Sequence, residues 1–246
     1  SRSVSDIQLN KDQERVFKYF TSGKPSVMVL FNSRPMVFDW VSQNTPAILV
    51  AWQPGFEAGN ALADVLTGKV NPSGKLPVTF PRNIGQVPLH YNHLNTGRPQ
   101  QTPGQMWTSG YLDSPATPAY PFGYGLSYTS FSYSNISLTK NQYKLGESVD
   151  LSVTVSNTGD LAGEEVVQWY IQDISADIAR PVKELKGFEK IKLAKGERRT
   201  ISFRLTEKDL SYWNNELTFK ADAGIFKVYV GGNSRDVKEA SFEMIR

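Results

Sequence analysis

Two hydrophobic periods divide the chain. In its first third, short runs that are apolar on both faces alternate with helical patterns. Asn10 to Phe20 opens with a capping residue and charged positions, then carries Val16, Phe17 and Phe20 at helical spacing before Gly23 and Pro25; this predicts a helix followed by a turn. Ser26–Phe31 and Ala47–Trp52 are apolar throughout, as strands covered on two sides must be. A short helix over Pro35–Ser42, opened by its proline, follows the first. A longer one over Pro54–Leu66, with Phe56, Leu62, Val65 and Leu66 inward and Gly68 as its stop, follows the second. Lys75–Phe80, flanked by prolines, reads as an edge strand. Strands alternating with helices through short connections predict right-handed parallel crossover units. Three short strands with three helices do not cover both faces of such a sheet. The chain is therefore expected to start inside an α/β domain whose earlier strands lie upstream of Ser1.

From Phe131 the period changes to two. Val149, Leu151, Val153 and Val155 alternate with polar residues, as do Ile201, Phe203 and Leu205, and then Phe226, Val228 and Val230. Turn signals at Asn157-Thr-Gly-Asp160, Ala194-Lys-Gly196, Asn214-Asn215 and Gly231-Gly-Asn233 recur at sandwich spacing. Seven or eight antiparallel strands between about Ser130 and Phe242 are expected, in an immunoglobulin-like or fibronectin type III-like β-sandwich. Between the two periods, residues 81–122 hold Pro81, Pro88, Pro99, Pro103, Pro115, Pro118 and Pro121 with little periodicity, the mark of a segment wrapped over a neighbouring domain. The expected organisation is residues 1–85 as the α/β segment, 86–128 as a wrapping linker and 129–246 as the sandwich.

Composition removes several function classes. With 39% hydrophobic and 21% charged residues the chain buries a core, and Lys+Arg 27 against Asp+Glu 24 leaves no basic stripe for a phosphate backbone. No apolar run approaches the roughly 20 residues that span a bilayer. The absence of cysteine excludes thiolate nucleophiles, disulfides and cysteine metal sites. Nucleic-acid and membrane partners are not expected.

Candidate chemistry is sparse. Both histidines, His90 and His93, lie in Val87-Pro-Leu-His-Tyr-Asn-His-Leu94, where Pro88 and the lack of a nearby carboxylate argue for ordinary loop hydrogen bonds over a metal site; no metal or cofactor is expected. The carboxylates of the first half are Asp6, Asp39, Glu57, Asp64 and Asp113. Glu57 follows a strand end, where open α/β sheets bind ligands, but a helix start favours the ionised carboxylate, the wrong state for a general acid. No pair earns a catalytic role. Aromatic residues in loops are more suggestive: Trp52, Tyr91, Trp107 and Tyr111 have the rigid apolar faces that stack on a pyranose, or else they pin the linker to the sandwich. Tyr120-Pro-Phe-Gly-Tyr-Gly-Leu-Ser-Tyr128 reads as packing between domains, with tight turns at Gly123 and Gly125.

Four motifs in register carry a resemblance. Trp52-Gln-Pro-Gly-Phe-Glu-Ala-Gly-Asn-Ala-Leu-Ala-Asp-Val-Leu66, Asn71-Pro-Ser-Gly-Lys-Leu-Pro-Val-Thr-Phe-Pro81, the Tyr120–Tyr128 segment and Arg180-Pro-Val-Lys-Glu-Leu-Lys-Gly-Phe-Glu-Lys190 resemble the C-terminal part of glycoside hydrolase family 3. Tyr91-Asn-His-Leu-Asn-Thr-Gly-Arg-Pro99 adds a similarity to its bacterial periplasmic β-glucosidases. The resemblance implies a retaining, exo-acting hydrolase of terminal β-linked glucose or xylose, periplasmic or secreted, built from a TIM barrel, an α/β sandwich and a fibronectin type III-like domain. It implies that the aspartate nucleophile belongs to the barrel. It also implies that the glutamate acid/base falls just before the segment matching Ser1–Leu9, with Arg2 and Asp6 flanking that loop. Neither catalytic residue has a counterpart here, so the chain alone is expected to be inactive and to need the barrel as its partner. The alternatives are a carbohydrate-binding module using Trp52, Trp107 and Tyr111, and a structural β-sandwich scaffold.

Overall fold

A computed structural model describes residues 5–100, 102 and 104–246. Helix α1 (Lys11–Thr21) begins where the Asn10 side chain accepts a hydrogen bond from the Asp12 amide at 2.8 Å, satisfying one of the unpaired donors of a helix start. Strands β1 (Val27–Leu30) and β2 (Ala47–Val50) pair in parallel, Val27 opposite Ala47 and Leu30 opposite Val50. Helix α2 (Asp39–Asn44) starts later than its proline suggests. The reason is backbone pairing: the Val37 amide donates to Ile7, and the Leu9 amide donates to Val37, which holds the residues before α2 extended. Helix α3 (Ala58–Leu66) also starts late, because Trp52 and Gly55 turn left-handed at φ 54° and 73°. Phe56 therefore lies outside the helical phase and is fully exposed, and Leu66 is exposed as well, while Leu62 and Val65 are half-buried. This corrects the expected inward face.

Lys75–Phe80 is not a sheet strand either. Pro77 and Pro81 lack amide donors, and the segment bonds instead to the chain that follows: Leu76 donates to Tyr124, Gly123 to Leu76, and Phe80 to Tyr120. A single 3₁₀ turn, Ile84–Gln86, comes next. Leu9, Leu30, Phe38, Val41 and Phe80 form the buried centre of this half.

The sandwich is made of β3 (Phe131–Tyr133), β4 (Ser137–Leu138), β5 (Gln142–Lys144), β6 (Val149–Asn157), β7 (Gly163–Asp173), β8 (Glu184–Leu193), β9 (Arg198–Leu205), β12 (Gly224–Gly231) and β13 (Val237–Ile245). A short helix α4 (Glu207–Leu210) and the ribbon of β10 (Tyr212–Trp213) and β11 (Phe219–Lys220) lie between β9 and β12. One sheet runs β5-β13-β12-β7-β8; in the other, β6 is flanked by β3, β4 and β9. The strict burial alternation along β6 is what a strand with one face on the core requires. One pairing departs from the antiparallel expectation: β5 runs parallel to β13. Strand β7 is buried on both faces from Val167 to Ile171, with an irregularity between Trp169 and Tyr170. Trp169 stacks on Phe203 inside the sandwich at 5.5 Å, whereas Gln168 and Tyr170 face the linker.

The two halves are joined by buried polar contacts. Lys75 Nζ pairs with Glu165 Oε2 at 3.1 Å and donates to the Gly125 carbonyl at 2.9 Å, and the Tyr133 hydroxyl donates to Glu165 Oε1 at 2.9 Å. Burial, with the Glu165 charge beside it, pushes the Tyr133 phenol far above its ordinary value. Gln168 Nε2 donates to the Gly232 carbonyl at 2.6 Å and to Gly123 at 3.2 Å, while its Oε1 accepts from the Tyr170 hydroxyl. A Cβ on Gly123, at φ 79°, would overlap that amide, and one on Gly125 would overlap the Gly74 carbonyl. Asn71 completes the joint: Oδ1 accepts from Ser127 Oγ and the Tyr128 amide, and Nδ2 donates to the Ala162 carbonyl.

Removing one member of a buried ion pair leaves the other charge uncompensated, at a cost of about 3–5 kcal/mol. Lys75→Ala is accordingly expected to lower stability by about 3 kcal/mol, and Lys75→Met combined with Glu165→Gln to recover most of it, as read from urea midpoints. A second expectation concerns pH. Burial raises the Asp173 carboxyl above its ordinary value, against the opposing Ser175 amide and Arg180 charge. A carboxyl raised on folding stabilises when protonated, so Asp173 costs stability as pH climbs from about 4 through its raised value. Asp173→Asn should be more stable than the parent at neutral pH, with the difference gone at about pH 4.

Candidate functional site

A parallel sheet gathers the carboxyl ends of its strands at one edge, where open α/β sheets take ligands. At the end of β1, Asn32 is buried; its Nδ2 donates to the Arg34 carbonyl at 2.7 Å and its Oδ1 has no partner. Arg34 donates in turn to the Asp6 carbonyl at 2.8 Å, while Asp6 Oδ1 accepts from the Gln8 amide. At the end of β2, Trp52 is left-handed and half-buried, its ring edge-on to Phe80 at 5.8 Å. Nothing in the sequence singles out Asn32, because an asparagine after an apolar strand reads as a turn; only its burial and its unfilled acceptor mark it. Arg2 lies outside the described residues.

Asp113 apart, the first-half carboxylates are engaged locally. Asp39 accepts from Gln43 at 2.9 Å, Glu57 from Asn60 at 2.7 Å, and Asp64 pairs with Lys69 at 2.9 Å. Asp113 is exposed. His93 meets the Leu94 carbonyl at 2.9 Å, and His90 is exposed.

The linker aromatics occupy different neighbourhoods. Tyr91 stacks on Phe122 at 4.3 Å, meets Tyr170 edge-on at 5.8 Å, and accepts a bond from the Leu185 amide through its hydroxyl. Tyr111 donates its hydroxyl to the Gly85 carbonyl at 2.7 Å. Trp107 is 81% exposed, at φ 61°, with Met106 and Leu112 exposed beside it. A left-handed conformation costs a bulky L-residue about 1–2 kcal/mol, so a chain that keeps tryptophan there holds strain at an exposed aromatic, a pattern of functional sites.

The chain matches the glycosyl hydrolase family 3 C-terminal domain over residues 1–128 and a fibronectin type III-like domain over residues 165–234. It belongs to glycoside hydrolase family 3. Among curated relatives it is 49% identical, over 91% of its own length, to the periplasmic beta-glucosidase of Salmonella typhimurium, and 38% identical, over 94%, to a putative beta-xylosidase of Formosa agariphila. Among solved structures it is similar to the beta-glucosidase from Listeria innocua in complex with glucose, with TM-score 0.93 and 45% identity over 98% of this chain. It spans only 29% of the length of those curated relatives and 34% of the Listeria chain. The mixed α/β half and the β-sandwich are thus the family's own architecture for this portion.

The two left-handed tryptophans should answer substitution oppositely. Trp107→Gly relieves strain without removing buried contacts and is expected to be neutral or stabilising by up to about 1 kcal/mol. Trp52→Gly loses the packing on Phe80 and is expected to cost about 2 kcal/mol or more. Thermal midpoints of the two variants check this.

Proposed function

We propose that the chain is the C-terminal portion of a retaining, exo-acting hydrolase of terminal non-reducing β-D-glucosyl (or β-xylosyl) residues, and that it acts only together with a catalytic barrel carried outside these 246 residues. The observation that carries this reading is the near-complete superposition on one third of a glucose-binding β-glucosidase. Retaining hydrolysis requires a nucleophilic carboxylate and a carboxylic acid about 5–5.5 Å apart. Asp39, Glu57 and Asp64 are instead each tied to a residue a few positions away in the chain. On this reading residues 1–85 form part of the wall of the active site, 86–128 wrap between domains, and 129–246 are the fibronectin type III-like support. Trp107 presents its ring to the substrate, Trp52 lines the strand-end edge, and Tyr91 and Tyr111 hold the loop between them. A periplasmic or secreted location is supported by the name of the Salmonella relative, and among the described residues no helix is long and apolar enough to cross a membrane.

Two assays test the proposal. The purified chain should give no turnover of p-nitrophenyl β-D-glucoside or β-D-xyloside. A chimaera in which it replaces the corresponding part of the Salmonella enzyme should hydrolyse the glucoside. Turnover that co-purifies with the chain alone, or a folded chimaera without activity, overturns it.

A further inference from the structure

The described residues between 87 and 113 form one long loop whose base is closed on the α/β side. Asn83 Nδ2 donates to Ser114 Oγ at 2.9 Å, and Gln86, almost fully buried, donates to the Pro115 and Thr117 carbonyls at 2.9 and 3.2 Å. Its first limb is fixed to the sandwich. Tyr91 sits against Phe122 and Tyr170 with its hydroxyl on the Leu185 amide, the Val182 amide donates to the His93 carbonyl at 2.9 Å, and Leu94 bridges to Pro181. The donors and the bridge partner on the sandwich side are Val182, Leu185 and Pro181, within one of the four motifs that match the family. Beyond Leu94 the loop is cross-braced: the Ser109 amide donates to the Arg98 carbonyl at 2.8 Å and Gln100 Nε2 to the Tyr111 carbonyl at 2.7 Å. It is this braced tip that carries Trp107.

We infer that the β-sandwich is the positioning device for the Trp107 loop, acting through Tyr91 and the backbone of Pro181–Val182. A loop of this length pinned only at its base has a wide conformational range, and aligning a ring against a sugar requires that range to be removed in advance. The second pin supplies that constraint from the β-sandwich. Tyr91 is then a positioning residue: both its ring and its hydroxyl are already engaged, and its effect on a ligand runs through Trp107. This inference rests on the proposed function only for what Trp107 meets; the mechanical coupling stands by itself.

Hydrogen exchange on the 246-residue chain tests the coupling. Tyr91→Ala should speed exchange of the Gly104 and Ser109 amides at least tenfold while the amides of β6 stay as in the parent. Tyr91→Phe, which keeps the ring and loses only the acceptor for Leu185, should give a smaller change in the same amides and guards against a variant that fails to fold. If the 98–112 amides keep parental rates in both variants, or loosen only in Tyr111→Phe, the inference is wrong. In the active chimaera, Trp107→Ala and Tyr91→Ala should each raise KM several-fold with little change in kcat, and the double variant should go no further than the larger single effect. Additive effects overturn the coupling. No effect of Trp107→Ala on KM, with the exchange result intact, overturns instead the substrate role given to that tryptophan.

Discussion

A charge pair buried between the two halves of this molecule fixes how they sit against each other. Lys75 and Glu165 are 14% and 5% exposed, and each makes one further hydrogen bond, Lys75 to the Gly125 carbonyl and Glu165 from the Tyr133 hydroxyl. Such a pair adds little net stability relative to an apolar contact, because desolvation offsets the attraction. What it does supply is geometry: a single relative placement satisfies both charges, and any slip of one half over the other strands them. Gln168 repeats the logic with neutral groups, its amide spanning Gly123, Gly232 and Tyr170 at once.

That placement determines what the linker is able to do. Tyr120–Tyr128 threads between the halves, pairing with Leu76–Phe80 on one side and packing under Gln168 on the other, and glycines are required at 123, where a Cβ would meet the Gln168 amide, and at 125, where it would meet the Gly74 carbonyl. With this strap fixed, Phe122 offers its face to Tyr91, and the loop that follows Gln86 acquires a floor. The exposed left-handed Trp107 is carried by that loop.

Local signals in the sequence were sufficient for elements that are held locally. Asn10 caps the helix it announces, and the alternation of Val149 to Val155 translates residue by residue into the buried face of β6. They failed where a distant segment intervened. Pro35 does not open a helix because Ile7 and Leu9 bond to Val37, and Lys75–Phe80 pairs with residues some forty positions onward (about the offset of a long linker) instead of joining the sheet. Lys75 and Glu165 are 90 residues apart, with nothing nearby to announce either. Among the aromatic candidates, residue type alone did not separate Tyr91, enclosed by two rings and a backbone amide, from Trp107, which stands in solvent. The backbone angle that distinguishes Trp107 has no compositional signature.

The order of strands in the larger sheet has a bearing on how the protein is made. Strand β13, Val237–Ile245, lies between β5 and β12, so it is an interior strand and not an edge. Strand β5, at the edge, joins the rest of its sheet through β13, which follows β5, β7, β8 and β12 in the chain. A domain folds as a unit only when its last obligatory element is present. Closure of the sandwich, and with it the seating of everything that leans on it, waits on this last-made of its strands.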